Sequence, residues 1–232
     1  MSDIACHCGR RGALFQKQDG TLLRWWQCRE HLDTERVKRE GLSACVYPPS
    51  MPEIFRDTDL MLLHPKIRQQ VEEWSPSGDK SGLLFHGNSG VGKTRGLWEV
   101  VRRAWVKETE KSVNMKFMVL TMRKFEGMIE KGFQDKEHAE VVESVINAKL
   151  LAFDDFGKER LTSRMASDLF AVIDERSTAR RPTIITTNFN GSAIVERFEN
   201  RDKETGVALI RRLKDYYTCV GIGVDSQSSP AN

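Results

Sequence analysis

Residues 87–94 combine types and spacing that suit the binding of phosphate groups. The glycines permit a tightly curled backbone whose N–H groups can surround an anion. Lys93 would place a positive charge against the β and γ phosphates, and the hydroxyl of Thr94 would reach Mg²⁺. The pattern G-x-x-x-x-G-K-[ST] is satisfied by Gly87, Asn88, Ser89, Gly90, Val91, Gly92, Lys93 and Thr94. We predict a clamp for a nucleoside triphosphate with its magnesium ion.

Two carboxylates follow four apolar residues in the string "LLAFDD". The pattern predicts a buried strand with the acids at its carboxyl end, where the ligands of open α/β sheets bind. Asp154 would join the Mg²⁺ shell, and Asp155 would lie beside the γ phosphate and orient or deprotonate a water molecule. The alternative is a pair of solvated carboxylates at the end of a strand.

A third polar residue, Asn188, ends another apolar strand in the string "IITTNF". An amide at this place can hydrogen-bond both the γ phosphate and the attacking water. An asparagine here can equally well serve only to turn the chain. The sequence leaves both interpretations open.

Apolar segments and helical segments alternate around these residues. The apolar run at 82–87 predicts a strand before the clamp, and the periodicity of residues 94–108 predicts a helix after it. The later predicted elements are strand 115–121, helices "MRKFEGMIEKGF" and "EHAEVVESVINA", strand 149–157, helix 163–179, strand 181–189, helices "SAIVERFE" and "ALIRRLKDY", and strand "YTCVGIGV". Such alternation predicts an α/β fold, with a parallel sheet flanked by helices on both faces.

Three cysteines and a histidine near the N-terminus have the spacing C-x-C-x19-C-x2-H. Two close pairs separated by a loop suit tetrahedral zinc, because each pair can turn around one edge of the ion. The predicted ligands are Cys6, Cys8, Cys28 and His31. A segment of this length has little apolar core, so a bound metal would supply much of its folding energy. The alternative is a set of small apolar thiols.

These patterns divide the chain into four parts. Four of the five cysteines lie within residues 1–46, which we predict to be a small zinc-binding domain that contacts a partner protein. Three prolines follow and predict a linker at 47–56, because proline favours extended chain and cannot donate a backbone hydrogen bond. Residues 57–225 contain the strands and helices, and residues 226–232 form a predicted flexible tail.

Composition excludes some classes of protein. The 232 residues include 36 basic and 33 acidic side chains, so the net charge is only +3 and does not by itself indicate nucleic acid. No apolar run approaches the ~20 residues that cross a membrane, and the N-terminus lacks the apolar core of a signal peptide. We expect a cytoplasmic protein with reduced thiols and no membrane partner.

Charge is uneven along the chain. Between residues 95 and 124, eight basic residues stand against three acidic ones. A basic stretch of this kind can follow the phosphates of single-stranded DNA. The alternative is an ordinary solvated helix face.

The clamp, the acids and the strand-end "TTN" occur in the order found in AAA+ ATPases. The string "LLAFDDFGKE" resembles strings of the replicative helicase loaders of the DnaC/DnaI kind and of the related transposition protein IstB. "ALIRRL" before a last strand resembles a segment of the same group. Only 44 residues (232 − 188) follow Asn188, and this group likewise lacks the full C-terminal helical lid of most AAA+ proteins. The chain therefore resembles a phage or bacterial helicase loader from residue 50 to about 225.

The resemblance implies that ATP and Mg²⁺ bind at the clamp. It implies that Asp154 is the metal-binding acid, that Asp155 directs the water, and that Asn188 senses the γ phosphate. Many AAA+ proteins have glutamate at the position of Asp155. Because aspartate is shorter, we expect an ATPase that is slow or stimulated by DNA or a partner.

The resemblance also implies an arginine that reaches the nucleotide of a neighbouring protomer. A guanidinium suits that role because its planar fork can pair with two phosphate oxygens. Arg212 matches the arginine of the group, with Arg211 and Arg201 as alternatives. ATP would then lie between protomers, and the chain would self-associate.

Three functions are compatible with these residues. The first is a loader that uses ATP to deliver a replicative DNA helicase onto single-stranded DNA. The second is an IstB-like helper of DNA transposition, and the third is an ATP-binding adaptor with little hydrolysis. The cysteine-rich N-terminal segment favours the loader, because in this group the N-terminal part determines the partner.

Overall fold

The computed structural model describes residues 47–56, 58–109, 116–157 and 162–223, together with the backbone of two N-terminal strands. Within them, the side chains of 108–109, 163 and 197–203 are not described. The N-terminal strands, β1 (Ala13–Gln16) and β2 (Leu22–Trp25), pair antiparallel. Among all these residues, no helix combines the length and the apolar character that crossing a bilayer requires.

Five strands form one parallel sheet in the order β4-β5-β6-β3-β7. They are β3 (Gly82–Gly87), β4 (Phe117–Thr121), β5 (Leu150–Asp154), β6 (Thr183–Thr187) and β7 (Tyr217–Ile222). The three central strands are almost entirely buried, as parallel strands covered by helices on both faces must be. The predicted α/β fold with a helix-flanked parallel sheet is confirmed.

Six α-helices accompany the sheet in the described part of the chain. They are α1 (Pro65–Glu73), α2 (Lys93–Thr109), α3 (Met122–Asp135), α4 (His138–Ile146), α5 (Ser163–Thr178) and α6 (Gly191–Tyr216). Side chains cap the start of several: Thr121 accepts from the N–H of Lys124, and Asn190 accepts from the N–H of Ala193. Because such caps satisfy amides that lack an intrahelical partner, α3 and α6 can begin almost directly after a strand.

The sequence patterns missed two features of the helices. No periodicity predicted α1, and the two short helices predicted after Asn188 are in fact one helix of 26 residues, α6. The intervening residues, "NRDKETGV", have no apolar period, but their charged side chains form helix readily. One glycine costs a helix only about 1 kcal/mol. A continuous helix therefore forms where the pattern suggested a break.

Two apolar layers cover the two faces of the sheet. Leu83 and Phe85 of β3 face one layer, whereas Leu84 between them faces the other. Ile184 and Ile185 of β6 divide in the same way, because successive side chains of a strand point to opposite faces. Helices α1 and α2 contribute to the first layer, and α3, α4, α5 and α6 contribute to the second.

The described residues of the predicted linker pack against this core. Met51 is buried in the same layer as α2, and the ring of Phe55 stacks on Trp98 with centroids 6.2 Å apart. Residues 47–56 therefore run along the helical layer that carries the phosphate loop.

A fully buried arginine, Arg176 of α5, forms hydrogen bonds that join α4, β5 and β6. Its guanidinium and Nε donate to the carbonyls of Val145, Ile146, Ala148 and Pro182 and to the hydroxyl of Thr183, at 2.6 to 3.2 Å. Several of these carbonyls belong to the C-terminal end of α4, which lacks intrahelical donors and attracts a cation. Burial lowers the pKa of Arg176 to about 10, so it stays protonated at neutral pH. The C-terminal end of α4 and the starts of β5 and β6 thus share one cation.

Replacing Arg176 with methionine should lower the free energy of unfolding by about 3 kcal/mol or more, because several buried carbonyls would lose their donor. Urea denaturation of the full chain measures this loss. The matched control is Arg180→Met, since Arg180 is exposed. That substitution should lower the free energy of unfolding by less than about 0.5 kcal/mol. Equal losses for the two variants would contradict a stabilising role of the buried guanidinium.

Candidate functional site

The sheet order brings three of the predicted motifs to one edge. Strand β6 lies between β5 and β3, so the carboxyl ends of these strands are adjacent. Gly87 ends β3, Asp154 ends β5, and Asn188 follows the last residue of β6. This edge is where ligands of open α/β sheets bind.

The loop of residues 87–94 has the backbone that an anion clamp requires. Three glycines have φ in the left-handed range, with values of 145° at Gly87, 83° at Gly90 and 91° at Gly92. A Cβ at Gly87 would lie 1.9 Å from the carbonyl oxygen of Ile222, so a larger residue is excluded there. Helix α2 begins at Lys93 and directs its N-terminal amides toward the loop, and such amides bind phosphate.

Lys93 is held by three neutral oxygens. Its Nζ donates to the carbonyls of Gly87 at 2.9 Å and Asn88 at 2.7 Å, and to Oδ1 of Asn188 at 2.7 Å. Burial lowers the pKa of Lys93, and the carboxylates of Asp155 and Asp154 oppose that shift. Hydrogen bonds from an ammonium to a phosphate are stronger than those to neutral oxygens. The lysine therefore has weaker partners here than a triphosphate would provide.

Asp154 and Thr94 lie side by side. The hydroxyl of Thr94 donates to Oδ1 of Asp154 at 2.9 Å, and the hydroxyl of Thr186 donates to the same oxygen at 2.6 Å. A hydroxyl beside a carboxylate at the end of a phosphate loop is the oxygen donor set that Mg²⁺ prefers. The residues present thus fit a magnesium ion bound through Thr94 and Asp154.

Asp155 has an unusual backbone conformation, with φ at +59°. Residues other than glycine seldom adopt this left-handed conformation, which costs on the order of 1 kcal/mol. Its N–H donates to Oγ1 of Thr186 at 3.0 Å. Its charge acts on Lys93, so Asp155 also belongs to the site.

Two residues of the site were not predicted. One is Thr186, which contacts both acids. The other is His86, which precedes the loop and packs against Gly221. Burial, followed by the charges of Lys66 and Lys93, lowers the pKa of His86, and its buried Nδ1 has no hydrogen-bond partner among the described residues. In each case the available signal was a polar residue one position before the carboxyl end of a buried strand.

The predicted trans arginines lie apart from the loop, on the α5–α6 side of the domain. Nε of Arg212 donates to Oδ1 of Asp174 in α5, and this hydrogen bond raises the pKa of Arg212. Arg211 is 78% exposed, and its Nε lies 3.7 Å from Oδ2 of Asp215. Both arginines line a cleft of about 470 Å³ between α5 and α6. The side chain of Arg201 is outside the described residues.

Part of the basic stretch is not available to DNA. Arg102 is only 2% exposed, and its guanidinium forms a close ion pair with the fully buried Glu99. Arg103 donates to the same carboxylate at 3.3 Å. The exposed cations that remain on this stretch include Lys116, Arg123 and Lys124. Two of the eight basic side chains in this stretch thus pair with a buried carboxylate.

The predicted zinc ligands lie outside the part of the chain that the structure describes. They are Cys6, Cys8, Cys28 and His31. Among the described residues, no group of three or more His, Cys, Asp or Glu side chains could hold a metal ion. Zinc binding stays a prediction.

Comparison by sequence gives one relative of known role. No model of a known protein family matches the chain. The chain is 22% identical over 186 residues to the replicative helicase loader DnaI of Bacillus subtilis (strain 168). The match covers 76% of this chain and 58% of DnaI, so it spans less than two thirds of that relative's length.

Comparison by structure gives the same group. A structure of DnaI matches with a TM-score of 0.57 and 20% identity, covering 75% of this chain and 95% of that one. A structure of the DnaC helicase loader matches with a TM-score of 0.55 and 22% identity, covering 74% and 99%. The replication initiator DnaA bound to AMPPCP and single-stranded DNA matches with a TM-score of 0.52 and 14% identity, covering 69% and 45%. These matches confirm the predicted resemblance to AAA+ helicase loaders of the DnaC/DnaI type, and they show that the chain has the fold of that group.

Proposed function

We propose that this chain is a cytoplasmic, ATP-dependent loader that delivers a replicative DNA helicase onto single-stranded DNA. The observation that carries the proposal is the convergence of Lys93, Thr94, Asp154 and Asn188 at one sheet edge, in a domain with the fold of DnaI and DnaC. The similarity to DnaI, a replicative helicase loader, supports the choice of partner.

The residues of the site suit the binding and hydrolysis of ATP. In the proposed complex the loop amides and the ammonium of Lys93 bind the β and γ phosphates, and Thr94 and Asp154 hold Mg²⁺. Asn188 accepts a hydrogen bond from Lys93, which supports the proposal that its amide contacts the γ phosphate. Asp155 orients or deprotonates the attacking water. When bound, Mg²⁺ would neutralise part of the negative charge that develops on the phosphate.

Replacing Lys93 with alanine should weaken ATP binding about 10- to 100-fold, because one charge-assisted hydrogen bond contributes ~1.5–3 kcal/mol. Hydrolysis should fall to background. Titration calorimetry with Mg·ATP and a phosphate-release assay measure the two effects. The matched control is Lys66→Ala, an exposed lysine near the loop that donates to the carbonyl of Gly221. Wild-type protein that neither binds nor hydrolyses ATP would contradict the proposal.

We further propose that ATP lies between protomers and that Arg211 completes the neighbour's site. The resemblance favoured Arg212, but that side chain is engaged with Asp174 of its own chain. Arg211 is more exposed, and its ion pair with Asp215 is long, at 3.7 Å. An exposed arginine whose ion pair is long can reach a neighbour's phosphate at less cost than one held in a close pair.

Replacing Arg211 with alanine should lower hydrolysis about 10³-fold and leave ATP binding intact, because a trans arginine acts on the transition state. Arg212→Ala is the matched control and should keep most of the activity. A mixture of Arg211→Ala with Asp155→Asn protein should recover part of the phosphate release, since each variant supplies what the other lacks. If Arg212→Ala alone abolishes hydrolysis, Arg212 has the trans role instead.

The helicase partner can be tested by co-purification. Full-length protein should retain the replicative helicase of its own organism in the presence of ATP and transfer it to circular single-stranded DNA. Cys28→Ser should lose the helicase, because we propose that residues 1–46 bind zinc and hold the partner. The matched control is Cys219→Ser, since that exposed thiol lies in β7 outside the predicted zinc site. No association of the wild-type protein with the helicase would count decisively against a loader.

A further inference from the structure

Thr186 connects the two acids of the site through one hydroxyl group. It is fully buried in β6, the strand between the acid-bearing β5 and the loop-bearing β3. Its Oγ1 donates to Oδ1 of Asp154 at 2.6 Å and accepts from the N–H of Asp155 at 3.0 Å. An N–H can only donate, so the single hydroxyl proton must point at Asp154. The orientation of this hydroxyl is therefore determined by its neighbours.

The same residue holds the turn that follows β5. The N–H of Phe156 donates to the carbonyl of Thr186 at 2.7 Å, next to the side-chain contact with Asp155. Asp155 is in the left-handed conformation that residues other than glycine avoid. A conformation of this kind persists only where surrounding contacts enforce it. Two hydrogen bonds to Thr186 provide that enforcement.

Thr186 also determines which oxygen of Asp154 is available. Oδ1 accepts from Thr94 at 2.9 Å as well as from Thr186, so two hydroxyls engage one oxygen. The other oxygen, Oδ2, has no hydrogen-bond partner among the described residues and is left for the shell of a metal ion. Partners that orient a metal-binding carboxylate in this way tune its affinity for the metal.

We propose that Thr186 is a positioning residue for Mg²⁺-dependent hydrolysis. Its hydroxyl aligns the carboxylate of Asp154 and the backbone of Asp155, and it contacts neither the nucleotide nor the metal itself. This inference rests on the proposed ATPase function. Losing the hydroxyl should therefore affect the response to Mg²⁺ more than the binding of the nucleotide alone.

Strand β6 offers a matched control at its other end. Thr183 is equally buried, at 1% exposure, and its hydroxyl is also bonded on both sides, to Arg176 and to the carbonyl of Arg181. Thr183→Val thus removes a buried hydroxyl of the same strand without touching the acids. An effect that both valine variants share can therefore be attributed to a loss of stability.

The test compares Thr186→Val, Thr186→Ser and Thr183→Val in the full chain. ATP binding is measured with Mg²⁺ and with EDTA, and phosphate release is measured over a range of Mg²⁺ concentrations. Thr186→Val should lower kcat about 10- to 100-fold and raise the half-maximal Mg²⁺ concentration about tenfold, the effect typical of removing a residue that orients a metal ligand. ATP binding in EDTA should stay within about twofold. Thr186→Ser and Thr183→Val should keep the wild-type Mg²⁺ dependence.

Equal Mg²⁺ dependence of Thr186→Val and Thr183→Val would overturn the inference. If Thr186→Val does not fold, Thr186→Cys replaces it. Its thiol is a weaker donor and acceptor of similar size, so an intermediate Mg²⁺ dependence is expected and a wild-type dependence would overturn the inference. If wild-type protein does not bind Mg·ATP, the proposed ATPase function fails. If wild-type protein binds and hydrolyses ATP while Thr186→Val has a normal Mg²⁺ dependence, only the role of Thr186 fails.

Discussion

Strand β6 lies between β3 and β5, and its ladder to both strands places the phosphate loop and the acidic turn at one edge of the sheet. These two motifs are 61 residues apart in the chain (154 − 93) and would not otherwise meet. Thr186 and Asn188 then contribute polar atoms from the middle strand to the residues on either side. The site therefore depends on a strand order that puts β6 in the centre of the sheet.

Packing beneath the loop explains why its conformation is maintained. A Cβ at Gly96 would lie 2.3 Å from Cγ2 of Ile67, so α1 rests directly on the first turn of α2. Leu63 and Ile67 also lie within 4 Å of where a Cβ of Gly92 would be. On the other side of the sheet, Arg176 joins the C-terminal end of α4 to the starts of β5 and β6 by hydrogen bonds to carbonyls. The loop and the acids thus rest on elements that close packing and buried hydrogen bonds hold in position.

The charges of the site are balanced by short-range contacts. Lys93 is buried and satisfied by neutral oxygens, while the nearby carboxylates favour its charged form. The hydroxyls of Thr94 and Thr186 serve the same oxygen of Asp154. An entering phosphate would replace the neutral oxygens around Lys93, and an entering divalent cation would replace the hydroxyls on Asp154. Both new contacts would be stronger, because each joins groups of opposite charge. This complementarity connects the buried geometry to the proposed use of ATP.

The sequence by itself determined the local features, because they depend on residue type and short-range period. The glycine pattern of the loop, the apolar strand before Asp154 and the strand–helix alternation all belong to this class. Periodicity could not determine that α6 is continuous, since charged helix formers in its middle carry no apolar period. Only the tertiary structure decided that Arg102 is a core residue paired with Glu99, that Arg212 is bound to Asp174, and that Thr186 contacts both acids. Each of these contacts joins residues whose proximity is produced by helix packing or by strand order, and a linear pattern does not contain that information.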